Sequence, residues 1–186
     1  AKLDMRSGTE RLMYALIVIL VATMAAWLMA LILHLQPVDF LKISLPVGAW
    51  ILLRLITSFC GVFGFSIMFN SPVRLAATAA GIGAIANTLR LEMVDMTAIP
   101  PAGAAFVGAL TAGILASLIK SKVGYPRISL TVPSIVIMVP GMYLYRGFYN
   151  LGIMSLGPAA SWFASAILII AALPLGLIFA RILTDE

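Results

Sequence analysis

The sequence predicts an all-α protein, a polytopic transmembrane helical bundle of about six spans in which proline and glycine break the fifth helix. Apolar residues make up 62% of the 186 residues, and charged residues make up 10%. The apolar residues form successive blocks of about 18 or more, a length that crosses a bilayer. Because these blocks are apolar on every side, they indicate helices and not the alternating strands of a membrane barrel.

The first two predicted spans cover residues 12–33 and 45–69. The first block is too long for the apolar part of a signal peptide, and no small-residue cleavage pattern follows it, so we expect it to be retained. The second block ends at the turn of residues 70–74, where a proline stops the helix.

The third and fourth predicted spans cover residues 75–91 and 101–119, and an acidic loop with Glu92 and Asp95 is expected between them. In both spans small residues recur four positions apart. Such rows let helix backbones approach closely, which is the main source of attraction between helices in lipid. The pattern therefore favours tight bundle packing, with a sliding or rocking surface as the alternative.

The fifth region, residues 128–151, is long enough to span but contains Pro133 and the pair Pro140–Gly141. Proline removes a backbone donor and frees a carbonyl upstream, so a true break is predicted at Pro140–Gly141. The alternatives are a kinked helix with an interfacial aromatic belt, or a re-entrant hairpin that would reverse the side of the C-terminus. A sixth span is predicted over residues 160–183.

Orientation is predicted from the basic residues, which gather on one side of the bundle. This asymmetry favours six spans with both termini in the cytoplasm and the acidic loop outside. Lys42 falls on the outer side, with Arg90 and Arg146 near that membrane edge. The side expected to be cytoplasmic holds Lys2, Arg6, Arg11, Arg74, Lys120, Lys122, Arg127 and Arg181.

Enzyme chemistry is not expected from this sequence. The chain has one histidine, His34, and one cysteine, Cys60, and neither belongs to a nucleophile or metal-ligand motif. No cofactor motif is present. The basic residues lie in short loops, where they orient the spans, so nucleic acid is not an expected partner.

Arg54 is the first candidate for a binding role. It lies about nine residues into the second span, a depth at which an arginine costs roughly 2.5–3.5 kcal/mol even on lenient insertion scales. No span contains a buried acidic residue, so a carboxylate of this chain is not the expected partner of Arg54. A bound anion, backbone carbonyls or a partner subunit remain open, as does a structural or snorkelling arginine.

The broken fifth region is the second candidate. Interrupted helices expose backbone groups to substrate in many transporters. Ser134, Tyr143 and Arg146 place two hydroxyls and a cation near the predicted break.

The segments 61–74, with the element F-N-x-P-V-R, and 133–147, with V-P-G, resemble the threonine/serine exporter (ThrE-type) family. The likeness is closest to its small YjjB-like subunit or to the C-terminal half of fused members. It covers most of the chain from the second span onward. The small subunit begins near the second span, so the first span of this chain departs from it. This span is either an added helix or the tail of a preceding half. The expected division is residues 1–44, with the first helix, and residues 45–186, the ThrE-type domain.

This resemblance implies a secondary transporter of the bacterial inner membrane that exports small hydrophilic carboxylates. Threonine and serine are the expected solutes, or a dicarboxylate such as succinate in two-subunit members. A YjjP-like partner subunit or N-terminal half and an oligomeric assembly are also implied. The residues of this chain that match the family's motifs by position are Asn70, Pro72, Arg74, Pro140 and Gly141.

The function expected from residues and resemblance together is that of a membrane subunit of such an exporter. The alternative is a structural scaffold subunit that does not touch substrate. Because no buried carboxylate is expected, a proton-coupling acid would have to come from the partner. The expected substrate-binding residues are Arg54, Asn70, Asn87, Arg90, Ser134, Pro140, Gly141, Tyr143 and Arg146.

Overall fold

The computed structural model describes residues 5–35, 45–97 and 99–184, and their regular structure is α-helical. Lys2 and Lys42, which entered the orientation argument, lie outside the described residues. The seven helices found in the described residues are α1 (Met5–Ile32), α2 (Val47–Met68), α3 (Val73–Thr97), α4 (Pro101–Val123), α5 (Arg127–Val136), α6 (Gly141–Gly152) and α7 (Leu156–Thr184).

Four of these helices, α1, α2, α4 and α7, are long and apolar enough to cross a membrane. The pair α5 and α6 adds a fifth span if the two cross together. The chain is therefore a multi-pass membrane protein. Helix α3 is long enough, with 25 residues, but alanine, glycine and charged residues lower its hydropathy. The total of six spans stays a prediction.

The chain divides into two compact units. The first contains residues 1–41 and 141–164, with α1, α6 and the start of α7. The second contains residues 42–140 and 165–186, with α2 to α5 and the remainder of α7.

In the second unit, α3 packs against α2, α4 and α5. Its small residues make this possible, because a Cβ at Gly83 would lie only 2.8 Å from the Ser134 carbonyl oxygen on α5. Ala80 and Ala84, four apart, are buried, whereas the Gly81 position has open space around it. Of the two predicted rows of small residues in α3, the row with Ala80 and Ala84 is therefore closely packed, and the row with Ala77 and Gly81 is only partly buried.

Helix α2 ends in a Schellman motif centred on Asn70, which has a φ of 58°. The Asn70 N–H donates to the Ile67 carbonyl (2.9 Å), and the Ser71 N–H donates to the Ser66 carbonyl (3.0 Å). Asparagine tolerates this left-handed conformation better than most residues. Pro72 lies directly before α3, and its carbonyl accepts the first helical hydrogen bond, from the Ala76 N–H.

The first unit is held by aromatic packing on glycine. The Trp27 ring of α1 lies directly against Gly152 of α6, where a Cβ would overlap it. Within α6 and α7, Gly147 makes room for Phe163, and the Phe163 ring packs edge-on to Phe148 at 5.0 Å between centroids.

The predicted break at Pro140–Gly141 is confirmed, because α5 ends at Val136 and α6 begins at Gly141. The Met138 N–H bonds the Ile135 carbonyl and the Val139 N–H bonds the Val136 carbonyl, both three residues back. These bonds close turns and do not continue the α-helix. Pro133 lies inside α5 without ending it.

Two predicted loops are helical instead. Glu92 and Asp95 lie on α3, which continues six residues beyond the expected limit of residue 91 to Thr97. The apolar block ends there, but nothing hostile to a helix follows until Pro100. Lys120 and Lys122 likewise occupy the last turn of α4, which ends at Val123 and is followed by Gly124 in the left-handed conformation.

Candidate functional site

The α2–α3 pair has a fixed antiparallel register that brings polar residues together. Three pairs mark this register: Val62 with Gly83, Ser58 with Asn87, and Arg54 with Glu92. From one pair to the next, the α2 residues lie four positions apart and the α3 residues lie four or five apart. The paired residues therefore lie on the sides of α2 and α3 that face each other. We call Ser58, Asn87, Arg90, Ser134 and the Met138 carbonyl the polar seam.

Asn87 lies at the centre of the polar seam and is 4% exposed. Its amide nitrogen donates to the Ser58 hydroxyl at 2.9 Å. Its Oδ1 has no hydrogen-bond partner among residues 5–35, 45–97 and 99–184. A buried polar atom without a partner costs about 1–3 kcal/mol, so this oxygen is available to a donor group of a small solute or of water.

Arg90 lies one turn further along the same face of α3. Its Nη1 donates to the Met138 carbonyl at 3.2 Å. This carbonyl lies just after the end of α5. The backbone carbonyls at the C-terminal end of a helix have no N–H partner within the helix and carry partial negative charge. Arg90 therefore stabilises the broken end of α5 with a charge-assisted hydrogen bond.

Ser134 connects α5 to α3. Its hydroxyl lies 2.9 Å from the Ala79 carbonyl and 2.6 Å from the Leu130 carbonyl, and the residue is fully buried. In this arrangement its single proton is shared between two backbone acceptors. Pro140, at the break itself, is also buried.

Arg54 corrects a prediction, because its partners are carboxylates of this chain. Its Nη1 donates to Glu92 Oε1 at 2.7 Å, and its Nη2 donates to Asp95 Oδ2. Its guanidinium also lies 5.2 Å from the centroid of the Trp50 ring. The expectation of no acidic partner was wrong because it placed Glu92 and Asp95 in a loop, whereas the extended α3 carries both past α2.

Arg54 also lies nearer to a helix end than expected. It is the eighth residue of α2, about 10 Å along the helix axis from Val47. A guanidinium at that depth with two carboxylate partners does not need a bound anion to offset its burial. Glu92 is a partly buried carboxylate, with a side chain 18% exposed, and it lies just beyond the predicted third span.

The remaining predicted site residues lie elsewhere. Asn70 is exposed at the α2–α3 turn, at the opposite end of α3 from Glu92. Gly141, Tyr143 and Arg146 belong to the first unit, where the Arg146 guanidinium lies 4.9 Å from the centroid of the Trp162 ring. Tyr143 packs edge-on against the same ring at 5.5 Å. The structure therefore brings Asn87, Arg90 and Ser134 together in the seam, and their binding roles stay predictions.

Sequence reasoning missed Ser58, the Met138 carbonyl and the Glu92–Asp95 pair. The tight turn at residues 69–72 predicts that α2 and α3 pair antiparallel, but equal counting from it places Arg54 opposite Asn87 and not opposite Glu92. The register that pairs Arg54 with Glu92 is therefore visible only in the structure. The Met138 carbonyl carries no sequence signal, because its role depends on where the fifth helix stops.

A groove of about 410 Å³ lies beside the α2–α3 turn, between this turn and α5. It is mainly apolar, with two serine hydroxyls among its lining. The lining residues are Phe69, Ser71, Leu75, Ile128, Ser129, Val132, Pro133 and Val136.

Comparison with known proteins identifies the family. A family model described as threonine/serine exporter, ThrE, matches residues 54–183, which is more than two thirds of the chain. The match includes every residue predicted above to bind substrate. No curated protein and no solved structure matches the chain. The chain therefore belongs to the threonine/serine exporter (ThrE) family of membrane transporters.

Proposed function

We propose that this chain is a transport subunit that exports small hydrophilic carboxylates across the bacterial inner membrane. Threonine and serine are the first candidates, and a dicarboxylate such as succinate is the second. The family supports a transporter of this type. The polar seam is the proposed solute site, because it combines a cation, an amide and a freed backbone carbonyl within the helical core.

The observation that carries this proposal is the placement of Asn87 beside Arg90 at the broken end of α5. The Arg90 guanidinium can pair with a carboxylate through two parallel hydrogen bonds. The unpartnered Asn87 Oδ1 can accept from an ammonium or hydroxyl group. A hydroxy amino acid carries all of these groups within a few bonds. Many transporters bind their substrates at interrupted helices, where backbone carbonyls are exposed to the solute.

Solute access would require α5 to move away from α3, because the seam is closely packed. A Cβ at Gly108 of α4 would lie 3.1 Å from Met138 Sδ and 3.2 Å from Arg90 Cβ. The α3–α5 contact includes Gly83 and a serine that bonds a carbonyl, and both are small enough to allow a small rocking of α5.

We infer the sidedness of transport from the positions of the basic residues. Arg74 at the α2–α3 turn and Lys120, Lys122 and Arg127 around the α4–α5 connection support a cytoplasmic position for this end. The groove beside the turn would then open toward the cytoplasm. The Glu92 end of α3 would face outside.

A partner half, the YjjP-like component, belongs to this proposal. The family resemblance of the chain is to one half of a paired system, and we expect solute flux to need both halves. Reconstitution of this chain alone in liposomes should give no specific flux of threonine or serine. Specific flux without a partner would contradict this part of the proposal.

The test replaces the host's own copy with variants and measures threonine and serine efflux together with membrane abundance. Asn87→Leu and Arg90→Gln should lower efflux about tenfold or more at normal abundance, because each removes about 1.4 kcal/mol or more of solute interaction. Arg90→Lys should lower efflux almost as much as Arg90→Gln, since lysine cannot make two parallel hydrogen bonds to a carboxylate. Thr111→Val is the matched control, a part-buried polar residue of α4 that bonds its own helix at the Val107 carbonyl.

The scaffold alternative makes the opposite prediction. Normal efflux from both Asn87→Leu and Arg90→Gln at normal abundance would remove the seam from the solute path. Loss of complex assembly in these variants, with efflux following abundance, would favour a scaffold.

A further inference from the structure

The groove beside the α2–α3 turn has a polar end and an apolar body. The turn and the first residues of α3 form one wall, and α5 forms the other. Ser71 and Ser129 lie where α3 and α5 begin. Val132, Pro133 and Val136 extend the lining about 10 Å further along α5, at a rise of about 1.5 Å per residue. Polarity in the groove therefore falls in one direction, from the start of α5 toward its end.

The two serine hydroxyls of the groove are not used by the fold. Neither Ser71 nor Ser129 has a side-chain hydrogen bond to any of the residues 5–35, 45–97 and 99–184. By contrast, the hydroxyls of Ser66, Ser117 and Ser134 each donate to the carbonyl four residues back in their own helix. The polar end of the groove therefore offers two hydroxyls to a group that enters it.

The polar end of the groove lies on the basic side of the second unit. Residues 45–91 and 99–184 contain no acidic side chain, the acids of α3 lie at its other end, and Asp185 and Glu186 lie outside the described residues. Arg74 is exposed directly before Leu75 of the groove and has no ion-pair partner within the described part of the chain. The basic residues on this side are Arg74, Lys120, Lys122 and Arg127. A negatively charged group at this end would therefore meet positive side chains.

We propose that the groove binds one anionic phospholipid, with an acyl chain along α5 and the headgroup phosphate at the two serines and Arg74. A phospholipid has the same order of parts, a charged headgroup at the membrane surface and an apolar chain that runs inward. A free anion would use only the polar end, and an apolar helix of another chain would leave the hydroxyls and Arg74 without partners. Basic pockets between transmembrane helices on the cytoplasmic side bind such headgroups.

The bound lipid would contact both helices that must separate for the seam to open. Pro133 of the groove directly precedes Ser134, whose hydroxyl bonds the Ala79 carbonyl of α3. A ligand that contacts both walls favours the conformation in which the walls are close together. Bound lipid therefore holds α5 against α3, and its release favours opening. This regulatory role rests on the proposed transport function, whereas the lipid site itself does not.

The test measures lipid binding directly and does not depend on transport. Phosphatidylglycerol and phosphatidylcholine with identical acyl chains are titrated into the full-length protein in detergent, and native mass spectrometry gives the affinity for the first lipid bound. The parent should bind phosphatidylglycerol about tenfold more tightly, with about fivefold of this preference from Arg74. Equal affinities for the two lipids would overturn the proposal. Displacement of phosphatidylglycerol by an equal concentration of inorganic phosphate would indicate a free-anion site and would overturn it too.

Two variants with matched controls separate the chain-binding and headgroup-binding parts of the site. Val132 lines the groove and is 49% exposed, so Val132→Phe fills the groove without entering the core and should weaken the binding of both lipids about tenfold. Val139→Phe is its control, at a residue 53% exposed that does not line the groove. Arg74→Gln should weaken phosphatidylglycerol binding about fivefold and leave phosphatidylcholine binding unchanged. Lys122→Gln, at an exposed lysine of α4, is the control for charge and should change either affinity less than about twofold.

Unchanged lipid binding in Val132→Phe, or an equal loss in Val139→Phe, would overturn the groove as the lipid site. A change of oligomeric state in Val132→Phe without a change in lipid binding would assign the groove to a second copy of the chain instead. Lipid binding as expected, together with normal efflux from Asn87→Leu and Arg90→Gln, would overturn the proposed solute site alone. The failure of the lipid site and the failure of the proposed function are therefore distinguishable.

Discussion

Replacing Gly83 by alanine should destabilise the protein through a contact that the structure measures. The added Cβ would lie 2.8 Å from the Ser134 carbonyl oxygen and 2.7 Å from Val62 Cγ2. Ordinary van der Waals contact begins at 3.4 Å, so the carbonyl lies about 0.6 Å too close. Val62 can rotate, but the carbonyl is backbone and can move only with α5.

The expected cost combines two opposing effects. Forcing an extra methyl into a close-packed contact costs about 1–3 kcal/mol, whereas alanine gains up to about 1 kcal/mol over glycine in a helix. We expect a net loss of about 1–2 kcal/mol. Gly81 is the matched control, because it lies on the same helix and the Cβ that alanine would add there meets no atom within 4 Å. Gly81→Ala should be stabilising by about 0.5–1 kcal/mol.

Thermal unfolding in the same detergent or lipid mixture, with both variants and the parent side by side, is the assay. The order of midpoints should be Gly81→Ala, parent, Gly83→Ala from highest to lowest. A Gly83→Ala midpoint equal to that of Gly81→Ala would refute the close α3–α5 contact. It would also remove the physical basis for a seam enclosed by α5.

Further outcomes follow from other positions. Met154→Gly should stabilise the protein by about 1 kcal/mol in thermal unfolding, because Met154 has a φ of 60°, a conformation that strains a methionine and not a glycine; an unchanged or lower midpoint would argue against this turn. Arg54→Gln should lose about 1–3 kcal/mol by leaving two carboxylates without their cation, and the double variant Arg54→Gln with Glu92→Gln should recover part of that loss. Additive losses would show that the two residues do not interact. Single cysteines at Lys122 and Asp95 test sidedness: an impermeant reagent applied to whole cells should label position 95 and not 122, and the reverse pattern would invert the proposed orientation.

Much of the helical layout could be predicted from local patterns. Apolar blocks locate the helices, although α1 begins seven residues before its block and α3 ends six residues after its block. The break at Pro140–Gly141 is predictable because both residues oppose helix continuation through their own backbones. Close packing of α3 is predictable from its small residues, but its position at Gly83 lies outside the rows of residues 77/81 and 80/84, because the side of α3 that faces α5 depends on tertiary packing.

The candidate site was less predictable because it depends on contacts distant in sequence. The predicted end of the third span at residue 91 was based on hydropathy. A helix can continue through charged residues, however, when a neighbouring helix supplies ion-pair partners for them. Glu92 and Asp95 are satisfied by Arg54, 38 and 41 residues earlier in the chain. Asn87 and Ser58 are 29 residues apart. These pairings require the register of the α2–α3 pair, which hydropathy does not contain.

The composition of α3 has a consequence for how the protein enters the membrane. Helices α2 and α4 are long and apolar enough to cross a membrane, whereas α3 carries Arg90, Glu92 and Asp95 among small residues. Each such charge is unfavourable for a lone helix leaving the insertion machinery. We therefore expect α3 to remain at the machinery until α2 and α4 are available, and the three to be released together. Biogenesis would then proceed by helical groups, with the charged residues already paired when lipid first surrounds them.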